Sequence, residues 1–323
     1  MKIVAGLGSI DDYIALCKAG ADEVFCGFVP YEWNKKYKSL MPLNRREVLY
    51  YNVQINSISD MKILKKMVYK YKVRVVVTFN SFYYTNEQYK DILILINELI
   101  NIGFNEFIIA DIGLILELRQ KKINCIIHLS GEACEINRLS MEIFNELNIS
   151  RYIFHRKNLI SDMKNCIESN KSLSLEYEAF ILNEKCHYTG AYCNSLHSDE
   201  MVHLCKVPYK ISKFHKSSKG FSDANNKLIL LNDTYKDIEE YESEEYIVGE
   251  SGCGLCFLME LKNAGITHLK VVGRGKYIDD MVKDIKILRK AIDLLSEGLS
   301  NSEYKYIIKS KFFKGKCRKK CYF

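Results

Sequence analysis

The feature that most constrains the fold of this chain is the regular alternation of short β-rich runs with segments of helical period. Segments such as Met61–Tyr71 and Tyr89–Ile102 space their apolar residues three to four apart, as an amphipathic helix does. Parallel strands that are buried on both faces appear as continuous apolar runs. Eight such runs occur: Ile3–Ala5, Glu23–Gly27, Val73–Phe79, Glu106–Ala110, Cys125–Leu129, Tyr152–Phe154, Leu173–Phe180 and Leu269–Val272. Eight strand–helix units predict an α/β fold, a (β/α)8 TIM-like barrel.

One interval is too long for an ordinary connection between a strand and the next. It runs from the strand ending at Phe180 to the strand beginning at Leu269, and it holds five of the twelve cysteines. A barrel takes roughly 250 residues, so the 323 residues leave room for it. We therefore expect a barrel over residues 1–300, with an insertion at about 183–257 on its C-terminal face, and a basic aromatic tail over 301–323.

The ends and the apolar runs of the chain indicate its compartment. No cationic segment followed by a long apolar stretch opens the sequence, and no apolar run reaches the ~18 residues that span a bilayer. We expect a cytoplasmic protein without membrane insertion. Cysteines stay reduced in such a compartment, so clustered ones suggest a metal site rather than disulfides.

The positive charge is concentrated in the tail. The formal net charge is +7, and residues 301–323 hold eight Lys and Arg but one Glu, so the rest of the chain is balanced. Basic and aromatic residues alternate there, which suits RNA phosphates and base stacking. The alternative is a solvated tail in which Cys317 and Cys321 are incidental.

The cysteines of the long interval have an irregular spacing. They run Cys186-x6-Cys193-x11-Cys205, and after a gap Cys253-x2-Cys256. Thiolates bind iron–sulfur clusters or zinc, and the x6 and x11 spacings match no zinc finger. The alternative is a set of ordinary buried thiols, since cysteine is often buried.

Several short motifs occur in the order typical of one family. They are Ala19-Gly20-Ala21-Asp22, Val24-Phe25-Cys26-Gly27, Val77-Thr78-Phe79-Asn80, Ile109-Ala110-Asp111-Ile112-Gly113, His128-Leu129-Ser130, Glu178-Ala179-Phe180 and Leu269-Lys270-Val271-Val272-Gly273-Arg274. With them the chain up to about residue 290 resembles peptidase family U32, a family of (β/α)8 barrels. The resemblance implies a [4Fe–4S] cluster held by Cys186, Cys193, Cys205 and Cys256, with Cys253 as the alternative fourth ligand.

The sequence departs from the family pattern in three places. The third cysteine element has one thiol, His155-Arg156-Lys157 lacks the acidic residue that usually follows the arginine, and no glutamate precedes Gly273. The missing carboxylates argue against acid-assisted hydrolysis.

Polar residues at strand ends should meet at the mouth of the barrel. We predict catalytic roles for Glu178, Asp111 and His128, with structural hydrogen bonds and ion pairs as the alternative for each. Cations there can hold a carboxylate or a phosphate. The predicted substrate-binding residues are Asn80, Ser130, Arg156, Lys270 and Arg274.

The resemblance leaves three functions open. Some family members resemble redox proteins that install hydroxyl groups without molecular oxygen, which implies a [4Fe–4S] oxidoreductase acting on RNA or on a small anionic or aromatic metabolite, with a separate oxygen or electron donor. The first alternative is a peptidase, although the chain has no His-Glu-x-x-His and no Gly-x-Ser-x-Gly motif. The second is a non-catalytic partner of another U32-type subunit.

Overall fold

The structure, a computed structural model, describes residues 1–37, 41–47, 53–186, 193, 246–315 and 320–323. Its strands are β1 (Lys2–Leu7), β2 (Glu23–Phe28), β3 (Gln54–Ile55), β4 (Arg74–Phe79), β5 (Glu106–Ile109), β6 (Ile126–Leu129), β7 (Ile149–Ile153), β8 (Glu176–Leu182) and β9 (His268–Val271). All of them pair in parallel. Eight form a closed ring, because β9 pairs with β1 and β1 pairs with β2. The predicted (β/α)8 barrel is thereby confirmed.

Helices connect the strands and cover the outside of the ring. They are α1 (Tyr13–Ala19), α2 (Tyr31–Tyr37), α3 (Ile58–Tyr71), α4 (Asn86–Ile102), α5 (Ile112–Gln120), α6 (Arg138–Asn145), α7 (Ile160–Ser169), α8 (Leu258–Ala264), α9 (Ile278–Asp293) and α10 (Asn301–Phe313). Gly20 and Gly103 end α1 and α4 with φ of 107° and 106°, a backbone conformation that favours glycine. Within the described ranges, no helix is long and apolar enough to cross a membrane.

Two apolar cores result from the alternation of side chains along each strand. The larger core lies between the ring and the helices. The smaller one fills the barrel with side chains from alternate positions: Val4, Phe25, Val76, Ile108, Ile153, Phe180, Val272 and Tyr322. This smaller core separates the polar residues inside the barrel into two layers, one toward each end of the strands.

Strand β3 was not predicted from the sequence. Its Gln54 lies opposite Gly27 of β2, one residue beyond the last pair of β1 and β2, Leu7 with Cys26. The short strand thus extends the sheet at the C-terminal end of the barrel. The chain that leads to it includes residues 41–47, and some of these reach the mouth.

Two strands begin three residues away from their predicted starts. Strand β8 begins at Glu176 rather than Leu173, because the preceding residues form a turn in which Leu173 N donates to Asn170 O (3.0 Å). Strand β7 begins at Ile149 rather than Tyr152, and it includes the fully buried Arg151. The apolar pattern did not predict the start of β7, because the charged Arg151 lies inside the strand.

Residues 301–323, expected to form a tail, pack on the barrel where the structure describes them. Helix α10 buries Tyr304, Ile308 and Phe313. The chain then returns to the mouth, where Cys253 N donates to Lys320 O (2.9 Å) and Tyr322 N donates to Cys253 O (3.0 Å). Cys317 lies outside the described residues.

Candidate active site

A small cavity opens at the C-terminal ends of the strands, where barrel enzymes carry their active sites. Its volume is about 80 Å³, room for a few waters or one compact chemical group. Phe25, Ile108 and Phe180 supply apolar lining. The charged lining consists of Arg45, Arg46, Glu132, Arg156, Glu184, Lys270 and Arg274. Five cations against two carboxylates make this a positively charged mouth.

Two glycines leave the space that Arg274 occupies. A Cβ at Gly27 of β2 would lie 2.5 Å from Arg274 Nη1, and a Cβ at Gly6 of β1 would lie 3.0 Å from the Arg274 backbone nitrogen. Both distances are shorter than normal van der Waals contact. The absence of side chains at these two positions therefore lets the guanidinium enter the barrel.

Arg274 is 5% exposed, and no described residue forms a hydrogen bond or an ion pair with it. Its Nη1 is buried without a partner, and its guanidinium lies 5.9 Å from the centre of the Phe25 ring. Burial, with the nearby Arg46 as a further cause, lowers the pKa of Arg274 to about 10. The group is still charged at neutral pH.

Arg156 lies across the same cavity, at the end of β7. Its Nη1 donates to Glu132 Oε1 (3.2 Å), and its guanidinium stacks 4.0 Å from the centre of the Phe180 ring. Its Nε is buried without a partner among the described residues. The cavity thus has a second donor that is not used within the described protein.

Lys270 is held in place by Glu178, which lies beneath the cavity. Lys270 Nζ donates to Glu178 Oε1 (2.7 Å), and Arg151 Nη1 donates to Glu178 Oε2 (2.9 Å). Burial would raise the pKa of Glu178, but Lys270 and Arg151 outweigh it and hold that pKa below its ordinary value. Glu178 is therefore a buried anion that positions Lys270, and it has little tendency to take up a proton.

A second charged layer closes the opposite end of the barrel. Arg151, fully buried, donates to Glu23 (2.8 Å) and Glu176 (2.6 Å). His128 belongs to this layer rather than to the cavity lining, with Nε2 3.7 Å from Glu106. Burial, followed by repulsion from Arg151, holds the pKa of His128 well below its ordinary value. His128 is neutral at pH 7, and its position favours the structural alternative.

Asp111 caps a helix instead of facing the cavity. Its Oδ1 accepts from Gly113 N (2.7 Å) and Leu114 N (3.3 Å) at the start of α5. Its Oδ2 accepts from Tyr84 N (2.8 Å) and the Tyr89 hydroxyl (2.9 Å). With both oxygens occupied, Asp111 also fits the structural alternative.

The five predicted substrate-binding residues all line the cavity. Asn80 Oδ1 accepts from Arg45 N (3.2 Å), and Ser130 Oγ accepts from Glu132 N (3.2 Å). Sequence reasoning missed the four other charged lining residues: Arg45, Arg46, Glu132 and Glu184. The Arg45-Arg46 pair was the one visible signal, but a charged pair in a loop does not reveal where it lies.

Two of the predicted cluster ligands are described near this mouth. Arg45 Nη2 donates to Cys193 Sγ (3.3 Å), and Arg45 Nη1 donates to Cys193 O (3.0 Å). Cys186 follows a short antiparallel pairing that joins the end of β8 to residues 251–254, where Lys185 N donates to Ser251 O (2.8 Å). Burial would lower the pKa of Arg156, but the charges of Tyr322, Glu132, Glu184 and Cys186 outweigh it and raise that pKa.

Of the remaining predicted ligands, Cys253 and Cys256 lie in or directly after the same pairing. Cys253 lies opposite Leu182 in that pairing, and Cys256 lies three residues further along in a single helical turn. Cys205 lies outside the described residues. Among the described residues, no three His, Cys, Asp or Glu side chains form a group that could hold a metal ion.

The donor set present near the mouth fits an iron–sulfur cluster in chemistry. Thiolates are the ligands that such clusters require, and hydrogen bonds to the sulfurs tune their potential. Arg45 already makes such a bond to Cys193. Cationic neighbours also suit the negative charge of a thiolate-bound cluster.

Comparisons with known proteins place the chain in a family. The sequence model of Peptidase family U32 matches residues 8–322. A curated relative, tRNA hydroxylation protein P of Escherichia coli (strain K12), is 22% identical over 312 residues, which cover 86% of this chain and 65% of the relative, so this chain spans less than two thirds of its length. A solved U32 peptidase is 9% identical, with a TM-score of 0.42 over 57% of this chain and 70% of that chain. Thiamine phosphate pyrophosphorylase from Pyrococcus furiosus is 8% identical, with a TM-score of 0.43 over 91% and 96%. Because the family match covers nearly the whole sequence, the chain belongs to peptidase family U32.

Proposed function

We propose that this chain is a [4Fe–4S]-dependent oxidoreductase that hydroxylates a base in RNA. The observation that carries the proposal is the hydrogen bond from Arg45 of the barrel mouth to the Cys193 sulfur, with Cys186 directly after the pairing at the end of β8. The similarity to tRNA hydroxylation protein P supports RNA as the substrate over a small metabolite. When bound, the cluster would supply one-electron transfer.

The residues of the mouth would bind and orient the substrate. Arg156 and Arg274 present buried donors to an anionic group. Phe25 and Phe180 form an apolar wall against which a flat ring can pack. Glu178 is a positioning residue, because it fixes the Nζ of Lys270 at the cavity. Conversion of a base C–H to C–OH adds one oxygen atom and removes two electrons. The proposal therefore includes a separate hydroxyl-bearing donor molecule, which gives up its hydroxyl group and takes the hydrogen in return.

The proposed cluster ligands are Cys186, Cys193, Cys205 and Cys256. Protein purified without oxygen is expected to be brown and to contain about four irons per chain. Cys186→Ala and Cys256→Ala should lose that iron. Cys125→Ala, which changes a buried thiol beside Arg119 far from the mouth, is the matched control and should keep it.

Two outcomes would contradict this ligand set. A colourless wild-type protein that contains zinc would exclude the cluster. Loss of iron in Cys253→Ala but not in Cys256→Ala would transfer the fourth position to Cys253, the alternative that the spacing left open.

RNA hydroxylation has its own test in cells. Modified nucleosides are compared in cells that lack the protein and carry either the wild type or Cys186→Ala. We expect one hydroxylated nucleoside to return with the wild type alone. Identical nucleoside profiles in the two strains would contradict RNA hydroxylation.

In this proposal the basic C-terminal region binds RNA. Lys309, Lys311 and Lys314 are exposed on or next to α10, and each neutralised phosphate contact contributes about one unit to the salt dependence of binding. Replacing all three by Gln should weaken RNA binding and flatten its dependence on salt. An unchanged affinity and slope would remove α10 from the RNA interface.

The family name leaves peptide hydrolysis as the second candidate. A peptidase needs an activated water or nucleophile beside a base. The carboxylates that line the described cavity are both paired with arginines, Glu132 with Arg156 (3.2 Å) and Glu184 with Arg46 (2.6 Å). Hydrolysis of collagen-like peptides by the purified wild type, lost in Glu132→Gln, would favour the peptidase.

A further inference from the structure

Arg274 carries a positive charge inside the barrel that no described residue neutralises. It is 5% exposed, its Nη1 has no hydrogen-bond partner among the described residues, and its guanidinium lies 5.9 Å from the centre of the Phe25 ring. Buried charges in proteins are normally paired and hydrogen-bonded, because removal from water is costly. An unpaired guanidinium kept in a cavity therefore needs an explanation other than stability.

The carboxyl groups around Arg274 are engaged elsewhere. Glu184 pairs with Arg46 at 2.6 Å, and Glu178 lies between Lys270 and Arg151. Glu47 accepts a hydrogen bond from Asn44 N (2.5 Å), and burial raises its pKa to about 8. Burial thus favours the neutral form of Glu47, and no ion pair joins it to Arg274 among the described residues.

The cavity contains a second donor suited to the same partner. Arg156 uses Nη1 for Glu132 but leaves Nε buried without a partner among the described residues. Both arginines line the one cavity of about 80 Å³. A compact oxyanion fits a cavity of this size, and guanidinium forks bind planar or tetrahedral oxyanions through parallel hydrogen bonds.

We propose that the mouth is an oxyanion site in which Arg274 and Arg156 together hold one carboxylate or phosphate group of a bound molecule. Gly6 and Gly27 border this site, since a Cβ at Gly27 would lie 2.5 Å from Arg274 Nη1 and a Cβ at Gly6 would crowd the Arg274 backbone. Lys270, fixed by Glu178, adds a third charge to the lining. This proposal specifies which chemical group of its substrate the enzyme binds, so it rests on the proposed function.

Binding of the anion does not require the cluster, so the two proposals can fail separately. The anions acetate and inorganic phosphate are titrated into the anaerobically purified protein by calorimetry, at constant ionic strength with chloride as the reference ion. Cys186→Ala is titrated in the same way. Anion binding in Cys186→Ala, with its iron lost, would show that the oxyanion site stands independently of the redox proposal.

The decisive variant is Arg274→Gln, which keeps a side chain of similar length without the charge. We expect its affinity for the oxyanion to fall roughly tenfold or more. Arg274→Lys should bind with intermediate affinity, since it restores the charge but not the fork. Arg138→Gln, which alters an exposed pair with Glu142 on α6, is the matched control and should bind as the wild type does.

The folding of Arg274→Gln is tested in the same series. Removing an unpaired buried charge should leave the unfolding temperature equal to or above that of the wild type. Tighter binding of phosphate than of acetate would assign a phosphate group, and the reverse would assign a carboxylate. Two results would overturn the oxyanion site. One is equal affinity of Arg274→Gln and the wild type for both acetate and phosphate. The other is a wild-type affinity for chloride that equals its affinity for those two anions.

Discussion

The ion pair between Glu178 and Lys270 gives the sharpest test of the charged interior. The substitution Glu178→Gln keeps the shape of the side chain and removes its charge. Glu178 is fully buried, with Lys270 at 2.7 Å and Arg151 at 2.9 Å. At an effective dielectric constant of about 20, each pair corresponds to roughly 6 kcal/mol of Coulomb energy before desolvation is counted.

The net loss is smaller than that sum, because Gln has less desolvation to offset. Arg151 keeps Glu23 and Glu176 as partners, so Lys270 is the one group left without a carboxylate in its described surroundings. Breaking a buried pair by removing one partner costs about 3–5 kcal/mol. We therefore expect Glu178→Gln to lower the free energy of unfolding by about 3 kcal/mol, at the lower end of that range.

Urea unfolding followed by far-UV circular dichroism measures this loss, with the exposed Glu142→Gln as the control. The double variant Glu178→Gln/Lys270→Met should recover a large part of the stability, because it removes both charges. A loss below about 1 kcal/mol, or a double variant less stable than the single one, would refute the assignment of Glu178 as the partner that stabilises Lys270.

Three further predictions follow from other contacts. Burial would raise the pKa of Glu23, but hydrogen bonds and charges from His268 and Arg151 outweigh it and hold that pKa far below its ordinary value near 4.5. The stability that Glu23 contributes is therefore complete above pH 4.5 and is lost as the pH falls below it. A urea midpoint that stays constant from pH 6 to pH 3 would contradict this pH dependence. Gly27→Ala should displace Arg274, abolish oxyanion binding and cost about 1–3 kcal/mol of unfolding free energy; calorimetry and urea unfolding measure both, and retained binding would be the opposing result. Thr85→Ala removes the capping box of α4 and should cost about 0.5–2 kcal/mol without changing the iron content, whereas equal urea midpoints would show that the cap contributes little.

Much of the fold could be predicted because its signals are local. Buried parallel strands appear as apolar runs, and glycines such as Gly20 and Gly103 mark helix ends by their positive φ. The apolar pattern was interrupted where a contact between distant residues stabilises a charged side chain inside a strand. Arg151 interrupts the apolar pattern of β7 because its charge is balanced by carboxylates from other strands, and no sequence window contains both.

The candidate site was predicted in part for the same reason. Strand ends of a barrel must meet at one mouth, which placed Asn80, Ser130, Arg156, Lys270 and Arg274 together. The same rule did not separate the layers inside the barrel. Whether a polar residue in a strand faces the mouth, the opposite end or a helix start depends on register, and register assigned His128 and Asp111 to places away from the cavity.

By itself the sequence determined the barrel, the position of the long insertion, the concentration of positive charge after residue 300 and the cysteine spacing, because composition and periodicity act over neighbouring residues. Only the tertiary structure decided how the charges are compensated. It paired Glu178 with Lys270, packed α10 on the barrel, brought Arg45 and Arg46 to the mouth and left Arg274 without a described partner. Such pairing depends on distances between residues far apart in the chain, and these exist only once the barrel has closed.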